Sequence, residues 1–174
     1  TLMNKIRSFI LIVNLTAILI VQQLSLSFIP NVSLTTFLII LYSKVLRVKE
    51  TSIIIVLYSF IFNLISPNGM LLYTHYIFIV IAWLFIPLLL NTIFRSNNII
   101  FLSLFSLFYA MIFGLIMAIP SVFITKIPFK IYLLSDLPFQ IIMGFSNFII
   151  LYLLYEKTYN TFKNIILKYN SYQR

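Results

Sequence analysis

A chain of 174 residues that is 62% hydrophobic and 9% charged, with a mean hydropathy of +1.10, excludes a water-soluble globule, because one core of this size cannot hide so much apolar surface. The lack of cysteine removes disulfides, thiolate nucleophiles and thiolate metal ligands, and the net charge of +9 is expected to orient the chain in a bilayer rather than to bind nucleic acid. The expected class is all-α: a polytopic protein of the cell membrane, one domain over residues 1–174, built as a bundle of six transmembrane helices.

The N-terminal TLMNKIRSFILIV has a basic start and an apolar run but no small-residue cleavage site after it, so an uncleaved first span is expected from Ser8 to Ile29, ended by Pro30 and Asn31. The next two apolar runs, Val32 to Leu46 and Thr51 to Ile65, are short for a bilayer and would also suit a re-entrant hairpin. Lys44, Arg47, Lys49 and Glu50 in the turn between them decide for crossing, since each cation held at the membrane centre would cost about 2.5–3.5 kcal/mol. Ser66-Pro67-Asn68-Gly69 reads as a turn. A fourth span is expected from Leu72 to Phe94 with a kink at Pro87, a fifth from Ile99 until Pro120 stops it, and a sixth from Ile131 to Glu156 after a long connection, Ser121 to Lys130. The tail, residues 157–174, places Phe162, Ile165, Ile166 and Tyr169 on one face, which suits an interfacial helix along the inner leaflet or a snorkelling tail. In this drawing Lys126 and Lys130 lie on one side and the other basic residues on the opposite side, which by the positive-inside rule puts both termini in the cytoplasm.

Polar residues inside apolar runs mark where this bundle needs partners. In the last span Asp136, Gln140, Gly144 and Asn147 stack on one helix face, and lipid cannot satisfy them. Asp136, just before Leu137 and Pro138, also has the sequence context of a helix cap. On the fifth span Ser106, Ala110, Gly114 and Ala118 recur every fourth residue, a face for close helix packing within or between molecules. Ser52, Ser59, Asn63 and Ser66 on the third span, and Asn14, Gln22 and Ser25 on the first, are expected to turn inward, although serines can also bond to their own helix backbone.

Catalytic signals are missing. His75 is the only histidine, there are three acids, and no metalloprotease, nucleophile-elbow or phosphate-loop motif occurs, so neither an enzyme nor a bound metal or cofactor is expected. Glu50 and Glu156 fall at one membrane boundary and Asp136 at the other, leaving no mid-membrane ionisable group to drive a self-sufficient carrier. If the chain moves a solute, the energy comes from elsewhere.

The run SDLPFQIIMGFSNFIILYLLYEKTY is similar to the last-helix pattern of the substrate-specific S components of energy-coupling-factor (ECF) vitamin transporters, an aspartate, a proline two residues on and an asparagine nine beyond it. FIPNVSLTTFLIILYSKVLRVKE resembles their second span and inner loop, AWLFIPLLLNTIF their fourth, and the six-helix layout agrees over nearly the whole chain. The resemblance implies a bacterial subunit that captures a water-soluble vitamin or related micronutrient outside, then docks on a transmembrane coupling subunit driven by two ABC ATPases. The abundance of Ile, Asn, Lys, Phe and Tyr fits an A+T-rich bacterial genome. The family's docking pattern of two alanines four apart is incomplete, Ala17 being followed by Val21. On this reading Asp136, Gln140 and Asn147 would supply directed hydrogen bonds, while Tyr76 and Trp83, seven apart on the fourth span, would stack on a planar ring beside Tyr73, His75 and Tyr132. Tyr73 and Tyr76 also suit an interfacial aromatic belt. Lys126 and Lys130 would attract an anionic group or remain solvated.

Overall fold

The computed structural model describes residues 2–29, 32–66 and 73–171, all of whose regular structure is helical. Six helices follow in order: α1 (Leu2–Ser25), α2 (Thr35–Val45), α3 (Val48–Ile65), α4 (Tyr73–Thr92), α5 (Ile99–Thr125) and α6 (Phe129–Ser171). Five of them are long and apolar enough to cross a membrane, as in a multi-pass membrane protein; α2, with 11 residues, is the exception. The expected spans therefore correspond to helices, with shifted boundaries.

The boundaries move for local reasons. α3 starts at Val48 because Glu50 reaches back to accept from the Arg47 backbone N–H at 3.2 Å and pairs with the Arg47 guanidinium at 2.7 Å. α5 starts at Ile99 because Asn98 Oδ1 accepts from the N–H groups of Ile100 and Phe101. Pro120 does not stop α5, which runs on to Thr125; proline removes one backbone bond, and a helix held by neighbours tolerates that loss. Lys126, in the left-handed conformation at φ 57°, closes α5 by donating its N–H to Val122. What was expected as a long connection is thus three residues, 126–128. α6 then begins at Phe129, so Asp136 lies two turns inside the helix and is not its cap.

α6 also does not end near Glu156. It runs for 43 residues in all, Phe129–Ser171, about 64 Å at the α-helical rise, roughly twice the hydrocarbon thickness. Its second half presents Tyr155, Tyr159, Phe162, Ile166 and Tyr169 at alternating steps of four and three. Phe162 lies 5.6 Å from the Tyr42 ring of α2, Ile166 is buried, and Tyr169 donates its hydroxyl proton to the Arg7 carbonyl at the start of α1. Ile165, expected on this face, is exposed. The tail is thus a continuation of α6 that packs against the bundle, and the start of α1 meets the end of α6.

α2 lies at the centre. Eight of its 11 residues, from Thr35 to Ser43, are buried, as befits a helix apolar on all sides. It packs mainly on α4 and α6. Ile39 and Ile40 join Leu19, Ile54, Ile86, Leu102 and Leu151 in the core. Its last turn is tied to α4, where the Lys44 ammonium donates to the carbonyls of Leu90 (3.2 Å) and Phe94 (2.9 Å), a cation placed on the negative end of a helix. Asn91 bridges the same helices, donating to the carbonyls of Ser43 and Pro87.

Candidate functional site

The site grows from the depth at which α2 starts. Gln22 of α1 donates to the Thr35 hydroxyl at 2.7 Å and accepts the Leu34 N–H at 2.9 Å, which pins the first residue of α2 one turn below the end of α1. Thr35 in turn donates to Gln23 Oε1 at 2.8 Å and stands 3.4 Å from the Tyr58 hydroxyl. An 11-residue helix rises only about 16 Å, so space is left above its first turn, where the neighbouring helices continue.

That space is a cavity of about 510 Å³. Its walls are aromatic: Tyr58 and Phe62 from α3, Tyr76 and Trp83 from α4, and Phe113 from α5, with Met143 from α6. Trp83 is 8% exposed and held by Phe113 at 4.9 Å and Tyr109 at 6.1 Å, so its ring is fixed before any guest arrives. Tyr109 is fixed in turn by donating its hydroxyl proton to the Ala82 carbonyl. The polar lining comes chiefly from Gln23, Ser59, Asn63 and Ser66, and no acidic or basic side chain is among the lining residues described. Ser59 is 3% exposed, and its hydroxyl has no hydrogen-bond partner among the described residues. An unpaired hydroxyl in a greasy wall is costly unless something in the cavity engages it. Rigid aromatic walls with a few neutral hydrogen-bonding groups suit an uncharged planar molecule.

Of the described residues expected in a site, Tyr76 and Trp83 line this cavity, whereas His75, Lys126, Lys130, Tyr132, Asp136, Gln140 and Asn147 do not. The His75 ring nitrogen Nε2 lies 3.2 Å from the Ser121 hydroxyl, linking α4 to α5. Gln140 donates to the Asp136 carboxylate at 2.7 Å and lays its side chain on α5, where a methyl group added to Gly114 would come within 2.6 Å of its Cδ. Gly144 follows, with room for no more: a Cβ there would sit 3.0 Å from the Leu107 carbonyl oxygen. Asn147 is 3% exposed and its amide nitrogen has no partner among the described residues. The antiparallel register that seats Gln140 at Gly114 carries Asn147 to the level of Ser103 and Ser106. Lys126 and Lys130 are exposed, Tyr132 is partly exposed, and the Tyr73 side chain lies outside the described residues.

Ser106, Ala110, Gly114 and Ala118 are all buried, and Gly114 and Ala110 receive α6. On α1 the expected inward stripe is corrected: Gln22 turns inward, whereas Asn14 and Ser25 are exposed, as is Ala17. The buried face of α1 runs instead through Ile12, Leu15, Thr16 and Leu19, and Asn14 falls between its rows. Sequence reasoning did not place Tyr58, Phe62, Phe113 or Met143 in a site. The signal that pointed to their neighbourhood was the stripe of Ser52, Ser59, Asn63 and Ser66, expected to turn inward, of which the last three line the cavity. Comparison with known proteins finds no matching family model, no matching curated protein and no matching solved structure.

Proposed function

We propose that the chain is a solute-binding membrane subunit without catalysis of its own, of the kind that the resemblance to ECF S components implies. It captures a vitamin-like molecule from outside the cell and delivers it by docking on a coupling subunit with two ABC ATPases. In this reading all six helices cross the membrane, α2 as a short central one, and both termini are cytoplasmic. The basic residues of the α2–α3 and α4–α5 connections, together with those of the chain ends, then face the cytoplasm, and Lys126 and Lys130 the exterior. Ser27, Ile29 and Ser66, at the ends of α1 and α3, line the cavity, and in this orientation those ends face outside.

The observation that carries the reading is the cavity of about 510 Å³, walled by fixed aromatic rings, with Gln23, Ser59 and Asn63 in its polar lining. Small-molecule sites commonly measure about 300–1,000 Å³ and combine apolar walls with a few polar groups. The test is mass spectrometry of metabolites that co-purify with the chain in detergent, followed by melting curves with each candidate. A ligand at a hundred times its dissociation constant stabilises the protein by about 2.7 kcal/mol, a readily measured shift. A chain that carries no metabolite and is stabilised by none refutes the reading.

One observation favours a second reading, a structural or assembly protein without a ligand. The polar face of α6 around Gln140 and Gly144 is consumed in packing against α5. That reading predicts no ligand-dependent rise in melting temperature.

A further inference from the structure

Asn14 lies near the middle of the apolar segment Ile6–Ser25, on the outer surface of α1. Its side chain is exposed, and its amide has no hydrogen-bond partner among the described residues. Hydrocarbon offers neither donor nor acceptor, and at this depth a short amide side chain does not reach water, so the position calls for a partner outside the chain. The surroundings define its shape. Ile10, Asn14, Ala17 and Val21 are all exposed and follow one another at steps of four, three and four residues. That is the period of a left-handed helix pair, with a small residue one turn from the amide where two backbones can approach.

We propose that this seam pairs α1 with α1 of a second copy of the chain, in parallel, with Asn14 facing Asn14 across a two-fold axis along the membrane normal. A carboxamide carries both a donor and an acceptor, so an identical group across the axis satisfies it without further chemistry. Two copies in one bilayer share one topology, which makes their α1 helices parallel. A single asparagine in an otherwise apolar seam is also the arrangement that fixes register between two parallel helices. Arg7, next on the spiral, is half-buried where the end of α6 meets α1, so the seam runs from Ile10 to Val21. The pairing needs neither the cavity nor a coupling subunit, although it uses Ala17, the residue the family resemblance assigned to docking.

The test uses the full chain alone, labelled with donor or acceptor dye and reconstituted in phosphatidylcholine vesicles over a range of protein densities. Energy transfer should rise with density to a dimer plateau. Asn14→Leu, which suits the lipid and leaves the buried face of α1 untouched, should weaken the association by about tenfold, the scale of one interhelical hydrogen bond in lipid. Ala17→Phe should weaken it at least as much by holding the backbones apart, and Asn14→Gln should retain part of it. Melting curves of each variant separate loss of pairing from loss of fold. A chain that stays monomeric at every density overturns the proposal, including one that associates only when another membrane protein is added. An association unchanged by both Asn14→Leu and Ala17→Phe does so as well.

Discussion

Two polar faces inside this bundle meet opposite surroundings. On α3, Ser59, Asn63 and Ser66 border open space; on α6, Gln140 and Gly144 press against another helix. The difference lies in what stands across from them. α5 offers Gly114 and Ala110, which admit a helix at close range, whereas α4 offers Tyr76 and Trp83, whose bulk holds the walls of a cavity apart above an α2 that starts too low to fill it. A polar stripe in an apolar chain therefore announces a partner, and the size of the facing residues decides whether that partner is a helix or a solute.

Three substitutions break or sharpen this contrast. Gly144→Leu strikes the packed side hardest, since even one carbon at that position meets the Leu107 carbonyl at 3.0 Å. A loss of about 3 kcal/mol in stability is expected, the upper part of the range for overpacking, read as a lowered melting temperature in detergent. Ser59→Ala acts on the open side. Its hydroxyl bonds nothing among the described residues, so stability should hold or rise while ligand affinity falls by about 1 kcal/mol, close to fivefold, in a titration. Gln140→Leu should do least. It removes the bond to Asp136 but also an unpaired buried carbonyl oxygen, so the two effects oppose and stability should change by less than about 1 kcal/mol, with affinity unaltered. A large affinity loss in Gln140→Leu would bring α6 back into the site.

Helix number and approximate position were legible because apolar runs of bilayer length leave few alternatives, and the close-packing residues of α5 stand out by their rarity. Helix ends were less legible. Pro120 reads as a stop when taken alone, yet α5 continues through it, with Pro120 buried and Ser121 tied to His75 of α4. The end of α6 was hidden for a related reason: Lys157 and Lys163 look like a membrane exit, while the apolar face of Phe162, Ile166 and Tyr169 keeps the helix docked on the bundle. The cavity was the least legible feature. It exists because Gln22 and Thr35 fix where α2 begins, and a bond between residues 13 apart leaves no periodic trace in a sequence. Tyr76 and Trp83 could be found from their shared helix face, but the opposing Tyr58 and Phe62 could be assigned only once α3 and α4 had been set side by side.

A solute held in the space above α2 is what separates a capture subunit from an assembly protein. Melting temperatures of the wild-type chain and of Ser59→Phe, whose ring would occupy that space, measured across a panel of water-soluble vitamins and related heterocycles, test this most directly. At least one compound should raise the melting temperature of the wild type and leave that of Ser59→Phe unmoved, although the unliganded variant still melts cooperatively. A rise of equal size in both proteins, or none in the wild type with any compound, would contradict it.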